Sequence, residues 1–225
     1  MIRTGSTSTT DADTLSQFFS LHPDNPQLRL IRQAVEIVRN GGVIVAPTDS
    51  CYALACHVGD KSAMERIRAI RAVDARHHFG LLCRDLAEAA TYARIDDQQF
   101  GLIKAATPGS FTFILHATRE VPRRLLHPRR KTIGVRIPSH PVVHALLAEL
   151  GEPLLSSTLI LPGSVEPLNN AQEIRHRLEH QVDLIIDSGS CGVAPTTVVD
   201  LTGEVPVITR QGRGAANLLG EPVGA

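Results

Sequence analysis

Apolar residues recur along this chain in two alternating patterns, a spacing of three to four residues and short unbroken runs, and each predicts a different element. Leu28, Ile31, Val35 and Val38 keep helical spacing behind Asn25 and Pro26. Asn can cap a helix, Pro fits its first turn, and Gly41-Gly42 closes the pattern. The run at 43–46 reads as a short buried strand that stops at Pro47. Asp60 can cap a second helix carrying Met64, Ile67 and Ile70, and Asp85 with Glu88 has the spacing of a capping box for a third. Further strand-like runs lie at 79–83, 111–115, 133–137, 154–157, 184–187, 198–201 and 205–209, bounded by Pro, Gly or charge. Helical patterns near 97–106, 141–150 and 171–180 separate most of them.

Interleaved helices and strands predict an α/β fold: a single-domain, twisted, mixed parallel and antiparallel sheet with flanking helices. The last three runs follow one another so closely that only antiparallel or edge pairing is expected to join them. With 225 residues and no Gly/Ser or Pro-rich linker, one folded unit is expected over 16–213. Residues 1–15, rich in Ser and Thr, read as a disordered lead-in, and 214–225 as a tail.

Charge and composition narrow the classes of function. Lys plus Arg and Asp plus Glu both number 23, so no whole-molecule field would draw the protein to nucleic acid or an anionic membrane, and any such affinity is local. No apolar run is long enough to cross a bilayer, and the beginning of the chain lacks the order of a secretory signal, so a cytoplasmic protein without membrane attachment is expected. Cys51, Cys56, Cys83 and Cys191 form no C-x-x-C pair and read as reduced buried thiols; no metal site is expected.

Candidate chemistry sits where turns meet strands. Residues 47–52, PTDSCY, follow the first strand at its carboxyl end, where open α/β sheets place ligands; a turn whose hydroxyls and carboxylate satisfy local backbone is the alternative. Thr112 points away from Phe111 and Phe113, giving that strand one hydroxyl-bearing face. Arg136, between Val135 and Ile137, must either snorkel to water or find an anionic partner, whether a ligand phosphate or carboxylate or a structural Asp or Glu. Between 119 and 136 stand seven basic residues, among them Arg123, Arg124, Arg129, Arg130 and Lys131, against the single acid Glu120. Such a cluster suits phosphates, or else forms a solvated face. There is no Walker or G-x-G-x-x-G loop and no signature of a Ser-His-Asp or Cys-His nucleophile.

Five segments in order, NGGVIVAPTDSCYAL at 40–54, TPGSFTFIL at 107–115, GVRIPSHP at 134–141, PTTVVDL at 195–201 and RQG at 210–212, resemble the successive signatures of the YrdC/YciO family of threonylcarbamoyl-AMP synthase-like proteins. The resemblance implies a twisted α/β fold with a basic surface for nucleotide and double-stranded RNA, and a link to tRNA modification. It implies a reaction in which the carbamate of L-threonine and bicarbonate attacks the α-phosphorus of ATP, with Mg²⁺ on the phosphates and pyrophosphate leaving. Carried over by position, Ser50, Tyr52, Arg136 and Thr196 would bind threonine. Arg71, Thr112, Ser156, Thr158 and Arg210 would bind the nucleotide, with Arg71, Arg136 and Arg210 as the catalytic cations. Arg123, Arg124, Arg129, Arg130 and Lys131 would meet RNA.

Three positions depart from the synthases. Their Lys-x-Arg pair is Arg71-Ala72-Val73 here, their Ser-x-Asn is Thr158-Leu159-Ile160, and a threonine-binding His falls at Cys83. Losing a cation or polar contact at developing phosphate charge costs a few kcal/mol of transition-state stabilisation. The pattern resembles the YciO branch and implies a weak or altered synthase, or alternatively a non-catalytic nucleotide- and RNA-binding protein.

Overall fold

A computed structural model describes residues 15–74 and 77–215. Ten strands form one mixed sheet in the order β1-β8-β2-β3-β7-β4-β6-β5-β9-β10. They are β1 (Gln17–Ser20), β2 (Ile44–Ala46), β3 (Ala53–His57), β4 (Gly80–Leu82), β5 (Phe111–His116), β6 (Thr132–Arg136), β7 (Leu154–Thr158), β8 (Leu184–Asp187), β9 (Thr197–Asp200) and β10 (Val207–Arg210). Six helices flank it: α1 (Leu28–Arg39), α2 (Lys61–Arg71), α3 (Leu86–Tyr92), α4 (Asp97–Ala106), α5 (Pro141–Leu150) and α6 (Ala171–Leu178). The predicted mixed α/β sheet is what forms.

Local chemistry explains most of the elements. Asp60 caps α2 by accepting from the Ala63 amide, and Asp85 caps α3 by accepting from that of Glu88. The Glu88 carboxylate bonds back to the Arg84 amide, one residue earlier than a capping box requires. The expected Asn25 cap is displaced. His22 Nδ1 accepts from the amides of Asp24 and Asn25, holding them in a turn, and the helix begins after Gln27. Behind it α1 buries Ile31, Val35 and Val38, each worth about 1.5–3 kcal/mol of transfer free energy. Two strands escape the sequence pattern. Ala53–His57 is rich in Ala and Cys and is buried on both faces, so it neither alternates nor looks β-prone. Gln17–Ser20 is a four-residue edge strand parallel to β8.

Two apolar layers cover the sheet unequally. On one face, α2, α3, α4 and α6 pack against Val45, Leu81, Phe113, Val135, Leu155 and Ile185. On the other, α1 and α5 cover Ile44, Ala46, Ala55, Leu82, Leu154, Leu184 and Ile186. The β6-β5-β9 part of that second face, with the Gly80 end of β4, carries no helix, and the cleft lies there. Along β5, Phe111, Phe113 and Leu115 are buried while Thr112 and Ile114 face the opening, as the strand period requires.

The expectation of three neighbouring terminal strands holds only for β9 and β10, which pair antiparallel. β8 lies between β1 and β2, seven positions from β9 in the sheet order. The chain from Asp187 to Thr197 reaches at most ~34 Å, so it crosses the sheet as a strap rather than a turn. The strap touches the β2–β3 turn on its way. Tyr52 Oη donates to the Gly189 carbonyl at 2.8 Å, and a Cβ on Gly192 would lie 2.6 Å from the Ser50 carbonyl oxygen.

Candidate functional site

A cleft of about 460 Å³ opens on the uncovered face, within the usual range for a small-molecule site. Its floor is two glycines, Gly80 and Gly134, directly paired across β4 and β6. Neither has a positive φ, so the backbone does not require glycine; what they supply is the absence of side chains above the sheet.

One wall is built at the end of α2. Ala72 adopts the left-handed conformation that stops the helix, leaving Arg71 directed at β7. The Arg71 guanidinium donates to the Ser157 hydroxyl and, through Nε, to the Ile160 carbonyl at 3.3 Å. His77 Nε2 lies 3.0 Å from Arg71 Nη1 and 2.9 Å from Ser157 Oγ. Burial, then the charges of Arg71 and Arg68, pushes His77 down to about 4, so the ring is neutral near pH 7. Burial likewise lowers Arg71, which remains a cation. The opposite wall joins three elements: Thr112 Oγ1 on β5 lies 2.7 Å from Thr196 Oγ1, and Arg210 Nη2 reaches the Thr196 hydroxyl at 3.2 Å and its carbonyl at 2.9 Å.

Arg136 closes the inner end. Its Nη2 donates to Asp49 Oδ1 at 2.6 Å and Thr48 Oγ1 at 3.0 Å, while its buried Nε–H has no acceptor. Burial alone would raise the Asp49 carboxyl, but Arg136 and the Ser110 hydroxyl at 2.6 Å hold it below its ordinary range. The Arg136 partner is therefore the structural carboxylate among the two alternatives. Arg130 reaches the cleft from the β5–β6 connection and is anchored by Asp200 at 3.0 Å. With Arg71, Arg130, Arg136 and Arg210 on its lining and no Asp or Glu among the described residues that form it, the cleft is built for an anion.

The cleft brings together eight of the residues singled out from the sequence: Arg71, Thr112, Arg130, Arg136, Ser156, Thr158, Thr196 and Arg210. Ser50 and Tyr52 lie outside it. Both are wholly buried, with Ser50 turned toward Thr48 and Cys51 beneath the strap. Thr48 also accepts from the amides of Ser50 and Cys51, the local role foreseen for this turn. Cys83 is sealed in the core, its thiol pushed up by burial and by Glu88 and Asp85. All four cysteines are free thiols, three of them buried and Cys191 half-buried. Among the described residues no cluster of His, Cys, Asp and Glu is suited to a metal, and no helix is long and apolar enough to cross a membrane.

The basic segment divides. Arg124 donates to the carbonyls of Val58 and Gly59, Arg130 pairs with Asp200, and Arg123, Arg129 and Lys131 make no side-chain hydrogen bond or ion pair among the described residues. Sequence reasoning missed His77, Ser157, and the stacked pair His78 and His127, because nothing local marks residues brought together from three segments. Glycines inside the strand-like runs at 79–83 and 133–137 were an available signal for the floor.

The family model of Sua5, YciO and YrdC proteins, described as telomere recombination, matches residues 36–212. The chain belongs to the Sua5/YciO/YrdC family. Within it, the uncharacterised protein YciO of Escherichia coli K12 is 60% identical over 200 residues, 89% of this chain and 97% of that protein. The crystal structure of E. coli YciO superposes with a TM-score of 0.88 over 91% of this chain and all of the other, at 58% identity. A threonylcarbamoyl-AMP synthase of Serratia proteamaculans is a more distant Sua5/YciO/YrdC relative, 28% identical over 76% of this chain and 91% of its own length. P. abyssi Sua5, solved with L-threonine, shares the fold at 24% identity with a TM-score of 0.81, over 88% of this chain and 58% of its own.

Proposed function

We propose that this protein is a threonylcarbamoyl-AMP synthase-like nucleotidyltransferase of weak or altered activity, acting on ATP, L-threonine and bicarbonate in the cytoplasm and linked to tRNA modification. The observation that carries the reading is the acid-free cleft, with arginines and hydroxyls on facing walls above a bare glycine floor. In the step envisaged, a carbamate oxygen bonds to the α-phosphorus as the bond to pyrophosphate breaks, and no protein nucleophile is required. Arg71 and Arg210, on opposite walls, would hold the charge that develops on the phosphate oxygens, while Thr112 would orient the nucleotide and its neighbour Thr196 the threonine. With no carboxylate on the lining, Mg²⁺ would enter on the ATP phosphates, where it neutralises charge, rather than on protein ligands. Weak or altered activity is supported by the inner end: Asp49 and Thr48 already engage Nη2 of the Arg136 guanidinium that a threonine carboxylate would need, and Ser50 is sealed. Incubation with ATP, threonine, bicarbonate and Mg²⁺ should release pyrophosphate and form an adenylate, at a rate that Arg71→Ala or Arg210→Ala lowers at least a hundredfold. Absence of any adenylate overturns the catalytic reading.

A second reading, a non-catalytic protein that binds nucleotide and double-stranded RNA, is favoured by the exposed and unengaged Arg123, Arg129 and Lys131. Its mark is duplex-RNA affinity that falls steeply with salt.

A further inference from the structure

Beside the main cleft lies an outer pocket of about 230 Å³, formed by Arg68, His78, Phe79, Arg123, Arg124 and Leu126 together with the wall it shares with the cleft. That common wall is His77, His78, Phe79 and Leu125. One ligand passing over it would occupy both spaces.

Three features of the outer pocket bear on its ligand. Two of its cations are held in place: Arg124 by the Val58 and Gly59 carbonyls, and Arg68, whose guanidinium lies 4.9 Å from the centre of the Phe79 ring and donates to the Asp74 carbonyl at 2.6 Å. The buried Arg68 Nε–H lacks a hydrogen-bond acceptor, since the Glu65 carboxylate is 3.6 Å away. Arg123, on the 3₁₀ turn Arg123–Leu125, is exposed and makes no side-chain hydrogen bond or ion pair among the described residues. Second, no carboxylate lines the pocket among the described residues. Third, the rim is aromatic. His78 and His127 stack with centroids 4.9 Å apart and planes 27° from parallel. His127 Nδ1 accepts from the amides of Arg129 and Arg130, which fixes the orientation of the ring.

Anchored cations alternating with flat rings are how proteins follow a single strand of nucleic acid, the arginines meeting phosphates and the rings meeting base faces. A duplex cannot enter a recess of 230 Å³. We infer that the outer pocket is a phosphodiester subsite, so that cleft and pocket together take a single-stranded RNA segment, with one nucleoside unit over the Gly80–Gly134 floor and its neighbouring phosphate between Arg68 and Arg123. The inference rests on the nucleotide-binding reading of the cleft and adds a ligand longer than a mononucleotide.

Affinities of AMP, ATP, the dinucleotide pApA, single-stranded hexa-adenylate and a short RNA duplex, measured by calorimetry and by competition, test it. The dinucleotide should bind at least tenfold more tightly than AMP. Arg123→Ala and His78→Ala should each lower the ratio of pApA to AMP affinity at least fivefold, and the Arg123 change should reduce the salt slope for pApA by about 0.7, one strand phosphate. Equal affinity for AMP and pApA, an unchanged ratio in both variants, or preference for the duplex over hexa-adenylate would overturn the subsite while leaving ATP binding intact. Tight pApA binding without measurable ATP binding would sustain the subsite and sink the synthase reading; binding of none of the probes would remove both.

Discussion

Asp49→Ala tests the cleft's inner end most directly. The Asp49 and Arg136 side chains are 10% and 9% exposed and meet at 2.6 Å, and the second carboxylate oxygen takes the Ser110 hydroxyl. Removing the carboxylate leaves a guanidinium whose Nε–H already lacks an acceptor and whose Nη2 keeps only Thr48 among its present partners. Breaking a buried pair from one side costs about 3–5 kcal/mol, and because Arg136 borders the cleft, where water can enter, the lower figure applies. For a chain of this length, about 3 kcal/mol lowers Tm by roughly 6–12 °C. The assay is urea and thermal unfolding at pH 7 of Asp49→Ala, Arg136→Met and the double variant. The double variant, which leaves no isolated charge, should be more stable than Asp49→Ala alone. In Asp49→Ala, added acetate should raise Tm by filling the vacated position beside Arg136, and by more than it does in the parent protein. A loss below 1 kcal/mol in Asp49→Ala, or a double variant as unstable as the sum of the singles, would refute the assignment of Asp49 as the buried counter-ion.

Three further outcomes follow from the geometry. His77 titrates at about 4 in the folded state against 6.5 for an ordinary histidine, so between those pH values the unfolded chain binds a proton that the native chain does not, and stability falls as pH drops through that window. The ring is partly open to water, so about 1 kcal/mol is expected rather than the roughly 3 kcal/mol of the full shift; unfolding followed from pH 7 to 4 should show it, and His77→Gln should flatten it. Gly80→Val should leave the fold within 1 kcal/mol, since a Cβ there meets only the Gly134 carbonyl oxygen at 3.6 Å, yet cut ATP affinity at least tenfold in calorimetry by raising a side chain from the floor. Arg124→Ala should cost about 1–2 kcal/mol through its two carbonyl partners, whereas Arg129→Ala should stay within 0.5 kcal/mol in the same denaturant assay.

What the sequence discloses here follows from the range over which each cause acts. Caps such as Asp60 and the alternation of Phe111, Thr112 and Phe113 are local and legible. The same holds for Arg136, since a cation inside an apolar run announces that it needs an anion. Which anion is a matter of tertiary geometry, because Asp49 comes from a different turn, 87 residues earlier. The Arg71, His77 and Ser157 contact is assembled from a helix end, a loop and a strand, so spacing carries no trace of it. β3 was hidden for another reason: a strand buried on both faces loses the polar and apolar alternation that reveals strands at a surface. The family's ordered segments supplied the positions of the cleft residues but not their state, and so Ser50, expected to meet a ligand, is found beneath the strap.

The strap also dictates a sequence of assembly. β8 slots between β1 and β2, so the first strands of the chain cannot complete their pairing until residues 184–187 have been made. The β9–β10 hairpin, tethered to β8 by the strap, docks on β5 toward the opposite edge of the sheet. A protein wired in this way joins its first-made and last-made segments in one sheet, and ordering such distant partners is slow. While a ribosome is still synthesising it, β2 stands with one edge bare, so nascent chains halted before residue 184 should be far more prone to stick to one another than chains released whole.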